Sequence, residues 1–314
     1  MNLAQTRKHR AHLTRRRRTI RVLRTLWTPV RLTTPGSIPR STAWTLVGGL
    51  YSIQWLTATI TAFLLALFPP ATPTGTRDAW TIFNSLVPAA ALTIAGIGVL
   101  QLLAKVSNTP PHTVGASLSG KPARWQASVG VFLLAMLIFQ ARGFITPVLE
   151  AIPGAPPERS FPWVPPSDPA AAAFLIYDSM ISGAVEEVIV LAVPVVALRA
   201  AGVRWRIILP TVVLLRTAFH VYYGPIAMPA HLIWALSLAL LYIATGRIWP
   251  LFLAHVVNNG VASLYYVLHQ KNPAAASTFA NATQATLLAC AGLGLALACL
   301  LCSGLRTARQ HARP

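Results

Sequence analysis

Two adjacent glutamates, Glu186 and Glu187, interrupt an apolar run from Ala171 to Leu198 that is otherwise fit to cross a bilayer. One carboxylate at the bilayer centre costs about 2.5–3.5 kcal/mol even on lenient insertion scales. Two side by side also repel, so at least one must hold a proton or meet a cation, a metal or a hydrogen-bond donor. Two later apolar segments carry histidines to similar depth, His220 at the end of Arg216-Thr217-Ala218-Phe219-His220 and His255 at the start of His255-Val256-Val257-Asn258-Asn259. Carboxylates and imidazoles that converge inside a membrane are the groups an intramembrane hydrolase needs.

Composition sets the class. Of 314 residues 54% are hydrophobic and 11% are charged, where a soluble domain carries about 25% charged residues. The expectation is an all-α polytopic membrane protein with one transmembrane domain, residues 41–306, between a basic tail, 1–40, and a short tail, 307–314. The net charge of +19 invites a nucleic-acid reading. However, the positive residues cluster in the tail and between apolar runs, where orientation signals belong. The expected partner is therefore the lipid bilayer, not nucleic acid. The block Arg15-Arg16-Arg17-Arg18 is not followed by an apolar core, so the tail reads as cytoplasmic and uncleaved. Cys290, Cys299 and Cys302 share the last apolar run and read as small residues on a lipid-buried helix.

Windows of about 20 apolar residues mark eight candidate spans around a polar cavity: 43–68, 81–104, 125–148, 171–199, 204–222, 229–245, 248–268 and 284–305. With the tail inside, the cytoplasmic connections hold Lys105, Lys121 and Arg124, then Arg199, Arg204 and Arg206, then Arg247, then Arg306, Arg309 and Arg313. The outer connections are poor in Lys and Arg. This alternation predicts both termini in the cytoplasm of a multi-pass protein of the cell membrane. A Pro-rich outer loop, 153–169, reads as a stiff cover.

Within the constellation, Glu186 and Glu187 are about 100° apart on a helix, so one can face a cavity while the other braces a neighbour. His255 and Asn259 are four apart and share a face, an arrangement able to hold a bound water or to stabilise an oxyanion. Arg216 is one turn before His220. His231 and His269 fall at span margins and read as interfacial.

Glu-Glu on one span, a histidine on the next and His-x-x-x-Asn on a later one resemble the CPBP intramembrane proteases, which include the CAAX prenyl endopeptidases of the Rce1 type. The resemblance covers roughly residues 85–265, and Pro111–Gly120 looks like the segment that opens the family's core. It implies Glu186 as the general base, His220 as a holder of water or metal, His255 and Asn259 as the oxyanion pair, and Glu187 as the second glutamate of Glu-Glu-x-x-x-Arg. Two departures stand out. Leu191 replaces the motif arginine, and Arg216 replaces the phenylalanine of Phe-x-x-x-His. The wording from Leu215 to Gly224 looks like an actinobacterial subgroup. One exchange explains both departures if Arg216 supplies the cation that Glu187 lost at position 191.

The expected activity is hydrolysis of a peptide bond in a membrane-associated peptide or protein, in a wet cavity open to the cytoplasm. Two versions stay open. Glu186, His220 and His255 could hold zinc with an open position, or the same groups could activate water unaided. Two rival readings also remain, a family member without catalysis that binds or confers immunity, and a transporter or proton relay.

Overall fold

The chain was analysed as a computed structural model, which describes residues 33–69, 79–110, 122–159 and 166–286 with a few isolated positions besides. Every regular element among them is helical. In chain order these are α1 (Arg40–Leu67), α2 (Ala79–Val106), α3 (Pro122–Glu150), α4 (Pro169–Val185), a π-helical segment (Glu186–Ala192), α5 (Val193–Ala200), α6 (Trp205–Ala218), a 3-10 turn (Val221–Tyr223), α7 (Met228–Thr245) and α8 (Ile248–Lys271). Six described helices are long and apolar enough to cross a membrane. Ile53, Phe68, Ile94 and Leu214 are all more than 60% exposed, a pattern that suits lipid contact rather than water.

The axis of the bundle is the continuous helix Pro169–Ala200, 89% of whose most apolar window is buried. Asp168 starts it by accepting a hydrogen bond from the Ala171 N–H at 2.7 Å, with Pro169 in the first turn, where its missing N–H costs nothing. The π turn has a local cause. Pro194 has no N–H to return to the preceding turn, and the Val193 N–H reaches back five residues to the Val188 carbonyl. A wider turn rotates successive side chains by less than the 100° of an α-helix, and such bulges concentrate at functional sites. Here the widened turn begins at the glutamate pair.

Close approach is enabled by glycines. A Cβ on Gly96 of α2 would lie 2.5 Å from Val188 and 2.6 Å from Ile189 in the π segment. One on Gly183 of α4 would lie 3.0 Å from the His255 ring and 3.1 Å from the Asn259 amide of α8. Small residues at crossings are what allow apolar helices to pack in lipid.

Contacts between segments define two ends of the bundle. At one, Ser37 N–H donates to the Ala200 carbonyl (2.8 Å), Thr34 to the Ser107 carbonyl (2.9 Å) and Tyr242 to the Val114 carbonyl (3.0 Å). This end collects Arg40, Lys105, Arg199, Arg204, Arg206 and Arg247, and is called the basic end below. At the other, Arg159 donates to the carbonyls of Leu65 (3.2 Å) and Ala66 (2.8 Å), and its own N–H donates to Tyr223 (3.1 Å).

The fifth expected span, 204–222, is modified. Its helix, α6, has 14 residues, about 21 Å, short of the roughly 30 Å hydrocarbon core. It stops at Ala218, and the chain turns back over residues 219–227 through the 3-10 turn and Gly224, whose φ of +86° and extended ψ are nearly exclusive to glycine. His220 therefore lies in a turn rather than within a helix. Helix is present again over 273–286. Most of the eighth expected span, all three cysteines, the basic tail to residue 32 and the C-terminal tail lie outside the described residues, as does all of Pro111–Gly120 except Val114.

The glycine contacts predict a graded effect on stability. Gly96→Ala forces a Cβ into Val188 and Ile189 and is expected to destabilise by about 1–3 kcal/mol. Gly98→Ala, where nothing lies within 4 Å, is expected to be neutral. Thermal unfolding of the two variants in detergent separates them.

Candidate active site

The site is organised by a buried arginine. Arg216, in the last turn of α6, is fully buried. Its guanidinium forks onto Glu187, Nη1 donating to Oε2 at 3.3 Å and Nη2 to Oε1. The same Nη2 lies 3.7 Å from Glu186 Oε2, and Trp234 of α7 presents its ring 4.5 Å from the guanidinium carbon. The cation that Leu191 does not supply thus reaches Glu187 from the neighbouring helix. A two-point fork on a carboxylate fixes direction as well as distance.

His255 bridges the two glutamates. Its Nδ1 is 2.8 Å from Glu187 Oε1 and 3.1 Å from Arg216 Nη2. A carboxylate only accepts, so the shorter contact requires the proton on Nδ1. That choice turns Nε2 toward Glu186, whose Oε2 is 3.8 Å away. The ring is held by Phe139 (centroids 4.8 Å apart) and edge-on by Trp234 (5.5 Å). Glu186 and Glu187 therefore both reach the same Arg216–His255 pair. They still differ. Glu187 is enclosed, whereas Glu186 lines a cavity of about 640 Å³, and its Oε2 is buried with no hydrogen-bond partner among the described residues.

The other expected site residues take distinct places. Asn259 lines the same cavity but gives one amide N–H to the Ser179 carbonyl at 3.0 Å, tying α8 to α4. His220 also lines the cavity, with Nδ1 donating to the Arg216 carbonyl at 3.0 Å. It makes no ion pair within 4.0 Å with either glutamate. Its nearest imidazole belongs to His231, at 4.9 Å between centroids. His231, read from sequence as interfacial, is 97% buried in the first turn of α7 and donates from Nδ1 to the Ala227 carbonyl at 2.8 Å. In both rings the backbone contact leaves Nε2 as the free acceptor. His231 and Trp234 are three apart on one face, and that spacing was the available signal.

Among the described residues no three His, Cys, Asp or Glu side chains are grouped so as to hold a metal ion. Of the proposed zinc set, Glu186 and His255 approach each other while His220 faces His231. A guanidinium 3.7 Å from the Glu186 oxygen would also sit against a cation placed there. The residues present do not fit a three-ligand zinc centre in this arrangement.

Glu186, His255, Trp234 and Phe139 form the floor of the cavity. The lining continues past Ser182, Asp178, Thr61, Ser263 and Tyr266, residues that lie away from the basic end on their helices. Toward the basic end, Val190, Leu191, Leu198, Val212, Leu238 and Leu251 are fully buried and close it.

The chain is thus a polytopic helical protein with a titratable cluster lining an internal cavity. Residues 168–261 match the family model of the type II CAAX prenyl endopeptidase Rce1-like proteins, a stretch that runs from the cap of α4 to two residues past Asn259. That stretch, under a third of the chain, is similar to this protease family. No curated protein and no solved structure gives a significant match.

The Arg216–Glu187 fork predicts strong coupling. Removing one partner of a buried pair leaves an uncompensated charge, which costs about 3–5 kcal/mol. Arg216→Met is therefore expected to destabilise the protein by that amount, and adding Glu187→Gln to recover part of it. A double-mutant cycle by denaturant or thermal unfolding measures the coupling, and a value near zero would contradict the pairing.

Proposed function

We propose that the chain is an intramembrane endopeptidase that cleaves a membrane-associated peptide, with Glu186 as the general base. The observation that carries this reading is the Glu186 carboxylate beside the cavity, one oxygen of which has no hydrogen-bond partner among the described residues and lies 3.8 Å from His255 Nε2 and 3.7 Å from Arg216 Nη2. Glu187 lies beside it and is already matched by Arg216. One glutamate holds the structure and the other remains available for a proton.

In this mechanism Glu186 takes a proton from water as the water oxygen bonds to the peptide carbonyl carbon. The carbonyl π pair moves onto oxygen. The resulting oxyanion is stabilised by the second amide N–H of Asn259 and by the Arg216 charge behind Glu186, in a site where low polarity strengthens both. Collapse of the tetrahedral species breaks the C–N bond, and the departing nitrogen takes the proton that Glu186 carries. His255, held by Glu187 through Nδ1, faces Glu186 through Nε2, which can accept a hydrogen bond from Glu186 once that carboxylate carries the proton. His220 and His231 present neutral Nε2 acceptors toward the same cavity and would receive N–H groups of the bound backbone. No step requires a metal.

Glu186→Gln removes the base and keeps the shape. It is expected to lower the rate by about 10²–10⁴-fold, the usual contribution of a positioned base, with membrane insertion unchanged. Release of a tag from a library of membrane-tethered reporter peptides provides the measurement. Full release by the Gln variant would refute the assignment. His255→Ala is expected to abolish release as well, and Asn259→Ala to lower kcat more than it raises KM.

A further inference from the structure

The basic end holds a second pocket, remote from the glutamates, whose charge the chain itself does not balance. We infer that this pocket, between the first turns of α1 and α6, holds the phosphate of an anionic phospholipid headgroup. The inference is independent of the peptidase reading, since the pocket shares no residue with the cavity that Glu186 lines.

The pocket has a volume of about 310 Å³ and is lined by Arg40 and Trp44 of α1, by Arg204, Arg206 and Ile207 at the start of α6, and by Val203 before it. All three of its charged groups are guanidinium groups. These hold phosphate oxygens through paired N–H donors, where an ammonium offers only a point charge. None of the three makes an ion pair among the described residues.

The carboxylates of the chain lie elsewhere. Of the seven acidic residues, Asp178, Glu186 and Glu187 are in the axial helix, Glu150, Glu158 and Asp168 belong to the passage from α3 to α4, and Asp78 precedes α2. Residues 1–77 and 188–314 contain no Asp or Glu, so the basic tail adds positive charge and cannot neutralise the pocket. The helices do not offset it either. Neither α1 nor α6 has an acidic residue in its first turn or a side chain that caps it, and the positive ends of both helix dipoles add to the arginines. The compensating anion must therefore come from outside the chain.

The surroundings of the pocket select a lipid over a free anion. Trp44 is 40% and Ile207 43% exposed, and Leu214, seven residues further along the same face of α6, is 63% exposed. An indole beside a cluster of arginines is the composition of a membrane–water boundary, and basic pockets between membrane helices hold anionic headgroups. A bound phosphate places the acyl chains along Ile207 and Leu214, which a free phosphate would leave unused.

The test uses the full chain, purified in a neutral detergent and stripped of lipid, with bound molecules counted by native mass spectrometry. Phosphatidylglycerol, phosphatidylcholine with the same acyl chains, and inorganic phosphate are the probes. Phosphatidylglycerol is expected to be retained with a preference of about tenfold or more over phosphatidylcholine. Arg40→Gln and Arg204→Gln are each expected to weaken that retention about fivefold to tenfold, the scale of one hydrogen bond to a charged group. Lys105→Gln, which removes a charge from the same end but outside the pocket, is expected to leave it unchanged. Arg206→Gln replaces Arg204→Gln should that variant fail to accumulate, and the comparison of the two lipids on the unaltered chain needs no variant. Equal retention of the two lipids overturns the inference. An equal loss in Lys105→Gln overturns it as well, since the attraction would then be spread over the whole basic end. Displacement of the lipid by inorganic phosphate at equal concentration does the same, because the pocket would then recognise the anion alone.

Discussion

The fork between Arg216 and Glu187 is the interaction on which the site depends. It joins α6 to the π segment of the axial helix, settles the charge of one glutamate, and through Glu187 fixes the His255 ring. An unmatched guanidinium at this depth would be expensive, so the pair also specifies how the two helices meet. The cation that meets Glu187 comes from position 216 on a neighbouring helix, while position 191 on its own helix is a leucine. Leu191 is left free to join the core that closes the basic side of the cavity. One substitution pair thus affects both the electrostatics of the site and the packing beneath it.

The π turn and the glycine crossings complete this arrangement. From the π turn both glutamates reach one arginine and one histidine while only Glu186 opens to the cavity. Gly183 lets α4 come within van der Waals distance of His255 and Asn259. Asn259 then ties the crossing by bonding the Ser179 carbonyl. The polar groups are held by packing as much as by their own bonds, which gives a general base a defined direction.

Much of this was legible in the chain. The membrane class followed from apolar length and scarce charge. Glu186, Glu187, Arg216, His220, His255 and Asn259 could be singled out because polar groups in apolar runs are costly. The transfer of the cation to Arg216 followed from the absence of a basic residue at 191. His231 was missed because a histidine at a span margin is ordinarily interfacial. Only the short α6 and the return of the chain at 219–227 bury it beside His220. The role of α6 as a full span was over-read, since apolar composition does not show where a helix stops within the bilayer.

The sequence by itself determined which residues had to find partners and which end of the bundle carries positive charge, because both follow from the cost of charge in hydrocarbon and the local density of Lys and Arg. The tertiary structure decided which partner each group found and which helix faces line the cavity. Those outcomes depend on helix crossings at Gly96 and Gly183, on the π turn before Pro194, and on the depth at which α6 ends. They are relations between segments up to a hundred residues apart, and no single segment encodes them.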